Sequence, residues 1–173
     1  MSMARHLHTA HADLEDALGL LERELLRFRE AGEADLDTVG ETLYFLIHHG
    51  ELPRYARERL VYHRLSDAQP PLRRLISAVE RRQSALREEA QRLMETVEDM
   101  AEDVLVPKAE FDARAERFLR RQRHQLAIRR RRLLPLAERL LAEADWQAIE
   151  SELSTHQVNR GGSDAPRPPL GHA

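Results

Sequence analysis

The 173-residue chain contains no cysteine. That absence excludes disulfides, thiolate nucleophiles, thiolate zinc sites and cysteine-ligated iron–sulfur clusters together. Aromatic residues make up 5% of the chain, and Lys108 is the one lysine among 27 basic residues. Few rings are therefore present to stack on bases, and basic surfaces favour the bidentate carboxylate and phosphate contacts of arginine over point charges. No stretch approaches the ~18 uncharged apolar residues of a membrane span. Residues Met1 to His6 lack the apolar core of a signal peptide, so a cytoplasmic location is expected. Glycine-rich phosphate loops are missing, as is any histidine beside a plausible nucleophile and orienting acid; the chain is expected not to be an enzyme.

What is present is an amphipathic helical pattern. Apolar residues make up 42% and charged residues 33%, with a net charge of −3 and 27 leucines spread over most of the length. This excludes disorder throughout and suits one domain with a real core. Gly32, Pro70-Pro71 and Pro107 divide residues 1–155 into four long runs. The first carries Leu7, His11, Leu14, Leu18, Leu21, Leu25 and Phe28 at alternating steps of four and three. The second carries Leu36, Leu43, Ile47, Gly50, Arg54, Glu58, Val61 and Leu65, and Gly50 with Pro53 predicts a kink or break near residues 49–53. The third runs through Leu72, Ile76, Val79, Gln83, Leu86, Ala90, Leu93 and Val97. The fourth runs through Phe111, Ala115, Phe118, Gln122, Gln125, Arg129, Leu136 and Leu140, with a second disturbance at Pro135.

No segment alternates with period two, and short connections favour antiparallel neighbours. The fold class expected is all-α: an up-down-up-down four-helix bundle with a short C-terminal helix around Ala144–Leu153. Residues 156–173, ending in a Gly/Pro-rich stretch from Gly161, are expected to form a flexible, disordered tail.

The apolar seams are interrupted at His11, Arg54, Glu58, Gln83, Gln125 and Arg129, all on inward phases. With turns centred near residues 33, 67–68 and 106, hairpin arithmetic sets residue 11 opposite 55, 54 opposite 81, and 83 opposite 129. Six polar side chains from four helices then converge on one cross-section. Such groups are costly to bury unless they satisfy one another, a metal or water.

These residues resemble the hemerythrin-like, HHE cation-binding domains, four-helix bundles that hold a non-haem di-iron site. Leu7-His8-Thr9-Ala10-His11-Ala12-Asp13-Leu14 is similar to the family's first-helix motif, with His11 in the ligand position. Tyr44-Phe45-Leu46-Ile47 through Arg57-Glu58-Arg59-Leu60-Val61-Tyr62 resembles the second-helix region. Leu134-Pro135-Leu136-Ala137-Glu138-Arg139-Leu140 followed by Asp145-Trp146 resembles the fourth-helix ending. The resemblance spans roughly residues 5–150 and implies the bundle, a metal layer and, as the alternative to no cofactor, non-haem iron with oxygen, nitric oxide or iron sensing or carriage.

The ligand positions depart from that family. Arg54-Tyr55 stand where a histidine pair belongs, Gln83 (or Arg82, one residue away) replaces the third-helix histidine, and Gln125 with Arg129 replaces a histidine and a carboxylate. A di-iron pair requires several imidazoles and bridging carboxylates, whereas arginine offers no lone pair. The ordinary di-iron site is therefore expected to be lost. An ion-pair network around Glu58, or a small bound anion, would fill the same layer. A rebuilt mononuclear site would draw on His11, Glu58 and His8, with His6, His48, His49, His63 and His124 expected at the surface or its boundary.

Arginine is also concentrated between residues 113 and 139, ten against two glutamates. Arg120, Arg121, Arg123, Arg130, Arg131 and Arg132, with Arg81 and Arg82 across the hairpin, form a candidate basic face. The readings open for it are a solvated face partly neutralised by first-helix glutamates, an acidic protein partner or second copy, and nucleic acid. The missing recognition motif, the few aromatics and the acidic balance argue against nucleic acid.

Overall fold

A computed structural model describes residues 3–49 and 53–158, excepting the side chains of residue 3, of 53–56 and of 154–158. The described residues are all-helical, without a strand. The helices are α1 (Met3–Ala31), α2 (Leu36–His48), α3 (Pro53–Ala68), α4 (Arg73–Ala101), α5 (Lys108–Ile128), α6 (Leu134–Leu140) and α7 (Glu143–Val158). A π-helical turn, Arg129–Leu133, joins α5 to α6, and a 3-10 turn, Pro70–Leu72, leads into α4. No helix among the described residues is long and apolar enough to cross a membrane.

Packing makes a closed ring: α1 lies against α2 and α5, and α4 lies against the same two helices. Side-chain pairs give the directions. Glu15 meets Arg130, Glu22 meets Arg123, and Arg29 meets Asp112 and Glu116, so α1 and α5 run antiparallel. His11 meets Glu58 while Glu24 meets the Asp35 backbone, which opposes α1 to the α2–α3 arm.

Local chemistry ends each element. Gly32 takes φ +73 after α1, a left-handed conformation that a Cβ would strain, and its N–H donates to the Phe28 carbonyl. Asp35 caps α2 by accepting from the Thr38 N–H and hydroxyl. Lys108 donates to the Arg29 carbonyl and lies over the Phe28 ring, placing a cation at the C-terminal end of α1. α2 ends at His48 and α3 begins at Pro53, and residues 50–52, on which the expected kink or break falls, lie outside the described residues. Pro135 acts one turn earlier than itself. It has no N–H for the preceding turn, and the ladder widens so that the Leu134 N–H donates to the Arg129 carbonyl. α7 is longer than the short helix expected and continues past residue 155 to Val158, packing on α3 through Ile149 and Leu153. The rest of the expected tail lies outside the described residues.

The core is in two halves. One contains Leu14, Leu18, Leu21, Leu43, Phe45, Leu46, Leu86, Leu93, Phe111 and Phe118, with Phe28 edge-on to Phe111 at 5.5 Å. The other contains Leu7, Val61, Leu65, Ile76, Val79, Leu133, Leu134, Ala137 and Ile149. Along α1 and α4 a polar residue, His11 and Gln83, stands where one half gives way to the other.

Truncating a fully buried ring leaves a cavity as well as lost burial. Phe45→Ala is expected to lower unfolding free energy by about 3–5 kcal/mol. The exposed Leu105 is a built-in comparison: Leu105→Ala should change stability by less than about 0.5 kcal/mol in the same denaturant titration.

Candidate functional site: a buried ion-pair layer

The polar cross-section is assembled around Glu58. Its Oε1 accepts from His11 Nε2 at 2.9 Å, from Arg129 Nε at 2.8 Å and from the Tyr62 hydroxyl, while Oε2 accepts from Arg129 Nη2. Arg129 therefore grips the carboxylate side-on with two donors, and the side chains of the pair are 3% and 9% exposed. The third arginine donor, Nη1, reaches Gln83 Oε1 at 3.1 Å. This fixes the Gln83 amide: its Nε2 faces His49 Nε2 at 3.0 Å and donates to it. His49 Nδ1–H in turn donates to the Leu46 carbonyl. A single chain of donors thus runs from α2 through α4 and the π turn to α3 and α1.

Burial alone would push the Glu58 carboxyl up. The charge of Arg129, with the hydrogen bonds from His11 and Arg129, outweighs burial and holds it well below the usual carboxylate range. Burial likewise acts to lower the Arg129 guanidinium, and the Glu58 charge reverses this. Burial and then the Glu58 charge keep Tyr62 protonated far above its ordinary range. Burial, followed by the Arg129 charge, pushes His49 down to about 4. That matches its contacts, in which Nε2 must offer a lone pair to Gln83.

Of the residues expected in this layer, His11, Glu58, Gln83 and Arg129 are brought together. Gln125 is buried beside them, but its Nε2 donates to the Val79 carbonyl at 2.6 Å and its Oε1 has no partner. Arg54's side chain lies outside the described residues. Gln83, and not the exposed Arg82, takes the inward position on α4. His8 does not join His11. It is exposed and meets Glu138 on α6 at 3.2 Å.

Two members were missed. His49, expected at the surface or its boundary, is 4% exposed, because α2 is enclosed by both α1 and α4 up to its last turn. Its spacing from Thr42 and Leu46 was a usable signal, since all three are buried on one stripe of α2. Tyr62 lies one turn after Glu58 on the same helix, and that spacing was also readable.

The expected basic face is divided. Arg129 turns into the core. Arg121 pairs with Glu89 of α4, whereas Arg123 pairs with Glu22 and Arg130 with Glu15, both on α1. Arg81, Arg82, Arg120, Arg131 and Arg132 are exposed. Consecutive arginines on a helix point in different directions, so Arg121 serves α4 while Arg123 and Arg130 serve α1.

The donor set does not fit a di-iron centre. Glu58 already accepts four hydrogen bonds, two of them from a guanidinium that has no lone pair and repels a dication. Among the described residues, no three His, Asp or Glu side chains converge as a metal site. No protein-family model, curated protein or solved structure matches this chain.

Removing one partner from a buried pair strands the other charge. Arg129→Ala is expected to cost about 3 kcal/mol or more, while Arg129→Met with Glu58→Leu should recover most of that loss. Chemical denaturation of the three proteins checks both statements, and an unchanged midpoint in Arg129→Ala would contradict the buried pair. The pH dependence has a defined sign. His49 has its ordinary value of 6.5 when unfolded and about 4 when folded, so the unfolded chain takes up the proton first. Stability is full above that ordinary value and falls by up to about 3 kcal/mol as the pH drops to the folded value. Glu58 adds its own loss as the pH falls below its ordinary value of 4.5. Denaturant titrations across this window should show the slope, and His49→Gln should flatten its upper part.

Proposed function

We propose that the protein is a hemerythrin-like four-helix bundle in up-down-up-down order whose metal layer has been replaced by an ion-pair network. In this reading it is not an enzyme and carries no cofactor. Its role is structural, interactive or regulatory. The observation that carries the reading is the bidentate grip of Arg129 on Glu58, at the level where that family's ligands would stand. His11 and Glu58 keep ligand-type side chains, and both are spent on hydrogen bonds within the layer. The ring of antiparallel helices is compatible with the same arrangement. Surface arginines remain available to a protein partner or a second copy.

The test is the metal content and visible spectrum of protein purified without chelator or added metal. A folded, colourless, metal-free protein is expected. Iron at about two per chain with oxo-bridge absorption would overturn the reading. A second arm tests the likeness itself. Arg54→His, Gln83→His, Gln125→His and Arg129→Glu together return donors to the expected ligand positions, and the restored chain should bind cobalt(II) with visible absorption. A folded restored chain that takes up no cobalt would remove the positional match to that family.

A further inference from the structure

A second arginine cluster lies between α4 and α5, away from the buried layer. A cleft of about 350 Å³ opens there, bounded on α5 by Arg114, Arg117 and Arg121 and on α4 by Arg92 and Glu89. The α5 arginines follow the helical spacing of three and four, which directs them along one stripe. Leu93 and Phe118, both buried, form its apolar floor. The side chains that line it carry a formal charge of +3, from four arginines and one glutamate.

The four guanidiniums are not equivalent. Arg121 is held by Glu89, and Arg114 by Glu110 one turn earlier on its own helix at 2.5 Å. Among the described residues Arg92 and Arg117 have no carboxylate within ion-pair distance, although the chain has more acidic than basic residues. Two free guanidiniums thus border the cleft from opposite helices, and two braced ones flank them. Guanidinium is weakly hydrated and presents paired donors that match planar or tetrahedral oxyanions. An apolar floor restricts solvent screening and concentrates the field in the cleft.

We propose that this cleft is a binding site for a compact polyanion, a small molecule bearing two or more phosphate or carboxylate groups. Arg92 and Arg117 supply the primary contacts, with Arg114 and Arg121 at its ends. The site is independent of the hemerythrin-like reading and of the Glu58 layer. It also differs from the basic face suggested by the sequence, sharing only Arg121 with it.

Isothermal titration of the full chain with inorganic pyrophosphate and with citrate, at ionic strength matched by sodium chloride, tests the site and separates the two chemistries. Saturable binding of one or both beyond the chloride control is expected. Arg92→Ala with Arg117→Ala should weaken it at least about tenfold. Arg131→Ala with Arg132→Ala, equally basic but outside the cleft, should leave it unchanged. Helicity by circular dichroism should match in all three proteins, since the replaced side chains are exposed. Binding no stronger than chloride would overturn the proposal, as would binding that persists in the Arg92/Arg117 variant.

Discussion

A buried arginine on a buried carboxylate constrains everything else in this bundle. Either group alone would be prohibitive in such surroundings, so the helices must place Arg129 and Glu58 within hydrogen-bond reach of each other. Bidentate geometry leaves little angular freedom. The pair therefore fixes the relative height of α3 and the π turn, and Gln83, His49 and His11 extend that constraint to α4, α2 and α1. Leucine-rich seams alone would tolerate a one-turn slip, because apolar contacts are non-directional. A slip here would strand a charge. Such a layer adds little net stability relative to an apolar core, and its clearest physical consequence is register.

The same layer determines what chemistry the core is suited to. Glu58 is ionised and fully engaged, Tyr62 is held protonated, and His49 is held neutral at ordinary pH. None of these groups is poised to exchange a proton with a substrate near neutrality. The remaining imbalance is small: His11 Nδ1 and Gln125 Oε1 are buried without partners. The layer is a nearly satisfied polar network between two apolar halves. The proposed small-molecule binding lies at the surface, where Arg92 and Arg117, without carboxylate partners among the described residues, border a cleft.

Much of this was legible in the residues. The inward phase of His11, Glu58, Gln83 and Arg129 follows from the helical period, and their common height follows from three turn positions. What could not be read were the features that depend on neighbouring helices. His49 shares a stripe with Thr42 and Leu46, but its enclosure comes from α1 and α4 packing over the end of α2. Gln125 shares the inward phase but bonds to the Val79 carbonyl, a choice made by the local approach of α4. The arginine run suggested a single basic face. The observed partners lie on opposite sides of α5, which lies between α1 and α4.

By itself the sequence determined the all-helical class and the inward turn of His11, Glu58, Gln83, Gln125 and Arg129, because these depend on local periodicity. The tertiary structure alone decided which group bonds to which, and which arginines are spent on carboxylates and which border the cleft. Those outcomes depend on distances of a few ångströms between helices far apart in the chain. A helical period specifies the face on which a side chain lies, whereas its partner is set by the packing of the opposing helix.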